Sequence, residues 1–528
     1  MTSFKHMCKP IAITSGSEHR SLHGNPTSVR GCRQSRQAQA ARVIAWIVMS
    51  VGMPLCVGAS ANGASTAPPA KLALGSMFGD HMVLQRDICV PVWGQAPPGT
   101  LVRVTIASRS QQERTDSNGR WQVNLVPLAA GGPYELTVTA GGDSIVAHDV
   151  LVGEVWFAGG QSNMEWPVRS VQNADQEIAE ADWPQIRWID VPNACADKPQ
   201  AAFASAGWQV CRPDTVGNFS GVAYFFARYL HHELDVPVGI VECDRGGTMM
   251  EAWTDPHVLA ASPPFDDDEA AMRARLAKLS AGEQSEALSK NVPGVLYNAM
   301  IAPVIPYAIR GVIWYQGENN AALHAEYLAL SKLMVGNWRK AWGRGDFPFL
   351  FVQLAAWEPG GDSWPHLREA QRHTANQVTN VGMVVAIDVG DRRDIHPHNK
   401  QEVGRRLGLL AAAKVYGGSQ TFAGPEIRRV AADGNRLRLS FRCSSGGLVV
   451  DGDRLQGFEV AGRNGNFHAA RAAVDGNEVI VWAEQVPEPR SVRYDWSAFP
   501  NGNLRNKALL PAGPFQADAA NQTLDHTP

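Results

Sequence analysis

The sequence predicts an α/β protein in which a parallel sheet, covered by helices on both faces, is flanked by two β-sandwich-like domains. Three changes of rhythm along the 528 residues carry this reading. Residues 71–150 alternate apolar and polar side chains in short runs broken by turn signals, the pattern of half-buried strands. From 151 to 416, apolar strand-length runs alternate with amphipathic helical stretches, which implies strands buried on both sides. From 417 to 516, short alternating strands return. A chain of this length exceeds one ordinary core, so several domains are expected.

The elements follow in order. Residues 1–70 are expected to be a signal peptide and linker. Arg30, Arg33, Arg36 and Arg42 precede a weakly polar to apolar run, Val43 to Gly58, which ends in Ala59-Ser60-Ala61. A basic region, a short apolar core and a small-x-small site describe a secretory leader. The run is short for a membrane span. An uncleaved anchor and a start placed too far upstream are the alternatives. In 71–150, Leu101-Val102-Arg103-Val104-Thr105-Ile106 and Trp121-Gln122-Val123-Asn124-Leu125 alternate between turns such as Pro97-Pro98-Gly99 and Asp116-Ser117-Asn118-Gly119. In 151–416 the expected strands are Glu154–Ala158, Val238–Cys243, Gly311–Tyr315, Phe347–Leu354 and Met383–Asp388. Expected helices include Ser220–Leu234, Tyr327–Trp338 and one from Asn399 to about Tyr416. Residues 417–516 form the second β-domain, with Leu437–Phe441 and Val479–Trp482 among its strands, and 517–528 read as a disordered tail.

Composition narrows the function. Charged residues make up 19%, the formal net charge is -3, and no long basic run exists, which argues against nucleic acid or an anionic membrane as main partner. Apolar residues at 45% exclude wholesale disorder. Of eight cysteines, Cys8, Cys32 and Cys56 fall in the expected leader, leaving Cys89, Cys195, Cys211, Cys243 and Cys443. No Cys-x-x-Cys pair points to structural zinc. Cys195 and Cys211 flank one polar stretch and are the expected disulfide partners in an oxidising compartment. The 16 Trp read mainly as core, with sugar stacking open to any ring near the site.

Ligands of parallel α/β sheets sit beyond the carboxyl ends of the strands. Four expected strand ends carry chemistry. They are Gly159-Gly160-Gln161-Ser162-Asn163, Asp244-Arg245-Gly246-Gly247-Thr248, Gln316-Gly317-Glu318-Asn319-Asn320 and Gly390-Asp391-Arg392-Arg393-Asp394-Ile395-His396-Pro397. A serine hydroxyl becomes an effective nucleophile when a base takes its proton, and His396 suits that role. A carboxylate on the other ring nitrogen would orient it, and Asp394 stands two residues away in an extended segment. Candidate oxyanion donors are the Ser162 N–H, an N–H of Gly246 or Gly247, and an amide from Gln316 or Asn320, with Asn319 the alternative. A metal site built from His396, His398 and Asp391 or Asp394 is the competing reading of the same residues.

The blocks Gly159–Met164, Gly246-Gly247-Thr248 with Glu251-Ala252-Trp253, Trp314–Glu318, and Asp394-Ile395-His396-Pro397 with Lys400-Gln401 resemble the sialate O-acetylesterase family of SGNH hydrolases. The resemblance runs from about Leu72 to Asp518 and includes Met82–Arg86 in the first β-domain. It implies a flavodoxin-like three-layer α/β/α catalytic domain with Ser162 as nucleophile and His396 as base. It further implies removal of O-acetyl groups from a sugar or glycan through an acetyl-serine intermediate, without metal or organic cofactor. The leader separately predicts a secreted or periplasmic protein. Sialic acid esters are the implied substrate, and acetylated xylan or xyloglucan the alternative. An inert carbohydrate-binding scaffold is the competing class. Many SGNH enzymes carry the aspartate three residues before the histidine, where this chain has Arg393. That leaves Asp394, Asp391 or a Ser–His dyad supported by a backbone carbonyl. The Gly-x-Ser-x-Gly elbow is absent, since Met164 occupies its last position.

Overall fold

In the computed structural model the described residues are 71–266, 274, 289–444 and 446–519. The expected leader, with Cys8, Cys32 and Cys56, and the last nine residues lie outside them. Five parallel strands form the centre: Val238–Asp244, Asp143–Gly160, Gly311–Tyr315, Phe349–Val352 and Val381–Val384, side by side in that order. Counted along the chain this is 2-1-3-4-5, the flavodoxin-like order. Two further strands widen the edge beyond Val238–Asp244. Trp183–Asp190 joins in parallel and Gln209–Cys211 antiparallel. The chain leaves the Asp143–Gly160 strand towards one edge and returns on its other side at Gly311–Tyr315. That reversal opens a crevice at the carboxyl ends, and Ser162 stands two residues past the end of the first strand.

Successive strand residues face opposite sides, so each face has its own core. Trp156, Ala158, Ile240 and Ile313 meet Phe225, Phe226, Val403 and Leu407 from helices Gly221–Leu234 and Lys400–Tyr416. Phe157, Val241, Val312 and Trp314 meet Tyr327, Trp338 and Leu367 from helices His324–Trp342 and Ser363–Gln377. Each fully buried large apolar side chain contributes roughly 1.5–3 kcal/mol. The helix starts are set by side chains. Ser220 Oγ accepts from Ala223 N at 3.2 Å, and Asn399 Oδ1 accepts from Glu402 N at 3.1 Å.

Residues 150 and 151, where the rhythm changes, lie inside the single 18-residue strand Asp143–Gly160. Its first part pairs antiparallel with Gly131–Ala140 in the N-terminal β-region, and its last part enters the parallel sheet. One strand thus carries the Ser162 segment out of the N-terminal β-region. Towards the C-terminus, two four-stranded antiparallel sheets enclose a separate core that includes Leu437, Leu439, Phe458, Val479, Tyr494 and Phe515.

Three expectations change. The last parallel strand is Val381–Val384 rather than Met383–Asp388, because a 3₁₀ turn, Ile387–Val389, replaces its end. The strand Phe515–Asp518 extends order past residue 516. Cys195 and Cys211 are free thiols. Cys211 is buried in the core against the sheet edge, whereas Cys195 Sγ accepts from Arg245 Nη1 at 2.9 Å.

Candidate active site

Gly160 ends its strand at φ 145°, and a Cβ there would stand 2.2 Å from the Tyr315 carbonyl oxygen. Only glycine lets the two strand ends approach so closely before the chain turns. Ser162 then opens the short helix Ser162–Glu165. Ser220 Oγ donates to the Met164 carbonyl at 2.6 Å, tying this turn to the next helix. The Ser162 hydroxyl lies 2.9 Å from His396 Nε2, so the expected nucleophile and base meet across 234 residues of sequence.

His396 sits on the loop that joins the last 3₁₀ turn to helix Lys400–Tyr416. Asp391 shapes this loop: its Oδ1 accepts the N–H groups of Arg393 (2.7 Å) and Asp394 (2.9 Å). Asp394 is the carboxylate at the base. Its Oδ1 accepts the His396 backbone N–H at 2.9 Å and lies 3.3 Å from His396 Nδ1, longer than a normal N–H···O bond. Its other oxygen is 3.5 Å from His398 Nε2. The His396 side chain is 25% exposed and that of Asp394 44%, so the pairing is open to solvent. Trp166 stacks on His396 with ring centroids 4.8 Å apart and an interplanar angle of 17°. Burial holds the His396 pKa below the ordinary histidine value. Asp394 opposes that shift, and Lys400 adds to it. The imidazole is therefore neutral at neutral pH and able to accept the serine proton.

The expected oxyanion side is rearranged. Gly246 is next to Ser162, since a Cβ on it would lie 3.3 Å from Ser162 Cβ. Its N–H, however, donates to Glu165 Oε2 at 2.6 Å. Gln316 and Asn320 are buried and committed elsewhere. Gln316 Nε2 donates to Thr248 O (3.0 Å) and to Asn320 Oδ1 (2.7 Å), while Asn320 Nδ2 donates to Glu251 Oε2 (2.9 Å). Both hydrogens of Gln316 Nε2 are thus committed, while the buried Asn320 spends one of its two on Glu251. The two amides brace the glycine turn, as Asn320 Oδ1 also accepts from Met250 N at 3.0 Å. Asn319 is the exposed amide, and it reaches Gly247 O at 3.0 Å. Gly247 has φ 66°, and its carbonyl also accepts from Asn291 Nδ2 at 3.1 Å.

Among the described residues no group of three or more His, Cys, Asp or Glu side chains is placed to hold a metal ion. The metal reading of His396, His398 and Asp394 therefore lacks a ligand set there. Three further residues, Asn163, Glu318 and Lys400, belong to the motif segments without a role of their own in the sequence. They form a chain behind Ser162. Asn163 Nδ2 donates to Glu318 Oε1 (2.6 Å) and Ile395 O (3.1 Å), and Lys400 Nζ donates to Asn163 Oδ1 (2.5 Å). Their signal was polarity at positions next to the motif serine and at a helix start, which does not reveal burial.

The chain is similar to known carbohydrate esterases. The family model described as "Carbohydrate esterase, sialic acid-specific acetylesterase" matches residues 152–416. The mouse sialate O-acetylesterase is 31% identical over 511 residues, covering 85% of this chain and 94% of that protein. The human sialate O-acetylesterase is 30% identical over 397 residues, covering 66% of this chain and 72% of that protein. Among solved structures, a carbohydrate acetylesterase from Xanthomonas citri is 38% identical with a TM-score of 0.77, covering 85% of this chain and 100% of that one.

Proposed function

The chain belongs to the carbohydrate esterase family of sialic acid-specific acetylesterases, and from that premise we propose that it removes O-acetyl groups from a sugar through an acetyl-Ser162 intermediate. The observation that carries the mechanism is the 2.9 Å contact between Ser162 Oγ and His396 Nε2 at the carboxyl end of the parallel sheet. His396 takes the hydroxyl proton as Ser162 Oγ attacks the acetyl carbonyl, and the C=O π pair moves onto oxygen. Collapse of that tetrahedral species breaks the bond to the sugar oxygen, which leaves with the proton from His396. Water then attacks the acetyl-serine with His396 again as base, releasing acetate and restoring the hydroxyl. Asp394 orients the ring and favours the transient imidazolium. We assign the oxyanion to the N–H groups of Ser162 and Gly247 and the second amide hydrogen of Asn319. Asn319 replaces Gln316 and Asn320 because it is exposed and next to the glycine turn.

O-acetylated sialic acid is the substrate this reading puts first, as the relatives' names suggest. Acetate release from O-acetylated sialic acid, acetylated xylan and acetylated xyloglucan, each measured with wild-type and Ser162→Ala protein, tests it. Serine-dependent release from the sialic acid ester supports the assignment. Release from the plant polymers alone moves the substrate to them. The basic residues before Val43 and the small residues after Gly58 support export to an oxidising compartment. Sequencing the amino terminus of protein recovered outside the cytoplasm would check that part. Among the described residues no helix is long and apolar enough to cross a membrane.

A further inference from the structure

Among the described residues Lys400 is the one fully buried lysine, and the acetyl-transfer steps leave it without a role. Its Nζ donates to Asn163 Oδ1 at 2.5 Å and lies over the Tyr315 ring at 5.4 Å and the Trp166 ring at 5.9 Å from their centroids. Burying an ammonium group is costly unless it is paired and hydrogen-bonded, so a lysine retained there needs an explanation.

The geometry supplies one. An amide has one acceptor end and one donor end. With its oxygen held by Lys400, Asn163 must turn its NH₂ towards Glu318 Oε1 (2.6 Å) and the Ile395 carbonyl (3.1 Å). Asn163 follows Ser162, and Ile395 precedes His396. One side chain therefore ties the nucleophile turn to the base loop, and its orientation is set by the lysine. The Trp166 ring that faces Lys400 also stacks on His396. We infer that Lys400 is a positioning residue for the Ser162–His396 pair, acting through the Asn163 amide and the Trp166 ring. The inference rests on reading Ser162 and His396 as nucleophile and base.

The charged and titratable groups facing Lys400 are Glu318, Asp394 and Tyr315, whose ring it overlies, and His396 stacks on the same Trp166 ring. Burial pulls the Lys400 pKa down to about 7, against the pull of both carboxylates, and it raises that of Glu318. When charged, Lys400 opposes protonation of His396. Its removal should therefore raise the His396 pKa, a shift that a purely structural residue would not give.

Lys400→Met, checked for native circular dichroism, is the test, with p-nitrophenyl acetate as substrate. The expected result is kcat lower by about 10²-fold with KM within about threefold, since a small misplacement of the pair costs rate rather than binding. The acid limb of kcat/KM should move to higher pH. Adding Asn163→Ala should cost less than about threefold more, because the two substitutions break one linkage. A folded Lys400→Met with kcat within about twofold of wild type and an unmoved acid limb would overturn the inference. So would fully multiplicative losses in the pair. If Lys400→Met does not accumulate as folded protein, Lys400→Gln carries the same pH and kcat test. Failure of the underlying reading looks different, because Ser162→Ala would then retain activity.

Discussion

Replacing Asp394 with Asn removes a negative charge beside His396 while keeping an oxygen to accept the His396 backbone N–H. The size of the effect follows from distance and exposure. At 3.3 Å, a full charge pair is worth about 1.3 kcal/mol in a water-like dielectric of about 80 and about 2.5 kcal/mol at about 40. The Asp394 side chain is 44% exposed, so this solvent-screened range applies rather than the buried limit. Asp394→Asn should therefore lower kcat for p-nitrophenyl acetate by roughly 10- to 70-fold. It should also move the acid limb of kcat/KM to lower pH, because the carboxylate favours the imidazolium and its loss depresses the His396 pKa further. A loss near the roughly 10⁴-fold of a desolvated triad aspartate would refute the reasoning, as would a loss under about twofold.

Three further outcomes follow from the same geometry. In wild-type protein, activity should be lost as pH falls through the lowered His396 pKa, so an acid limb above the ordinary histidine value of about 6.5 would contradict the burial argument. Gly246→Ala places a Cβ 2.7 Å from Glu165 Oε2 and 3.3 Å from Ser162 Cβ. Its kcat should fall by about tenfold or more, and an unchanged kcat would show that this contact does not shape the site. Arg368 is fully buried and donates to the carbonyls of Leu354, Ala355, Ser497 and Ala498, joining the C-terminal β-region to the parallel-sheet layer. Arg368→Met should lower stability in urea unfolding by about 3–5 kcal/mol, and a change under about 1 kcal/mol would contradict that role.

The sequence exposed what is local and periodic. Gly311–Tyr315 and Leu101–Ile106 coincide with their expected bounds, because period and turn residues mark both ends. The Ser162 and His396 segments were legible because each follows a strand of the sheet, and strand ends in such sheets converge. Side-chain direction was not legible. Gln316 and Asn320 have the right chemistry one and five residues past Tyr315, yet they point into the bracing of the glycine turn, whereas Asn319 between them is exposed. Glu165 gave no signal, because its bond to Gly246 N joins residues 81 apart. Cys195 and Cys211 looked paired by spacing, but one belongs to a surface loop and the other to the core beside helix Gly221–Leu234. The offset of Asp394 from His396 does not by itself distinguish it from Asp391 as the partner carboxylate. Asp391, the other carboxylate considered, turns out to cap the loop's own N–H groups.

Ser162 carries the central claim, and acetate release from an O-acetylated sugar by wild-type and Ser162→Ala protein measures it most directly. A loss of about 10⁴- to 10⁶-fold in kcat, with the fold unchanged by circular dichroism, is the expected result. Release within about tenfold of wild type would contradict the account, because no acetyl-serine could then lie on the path.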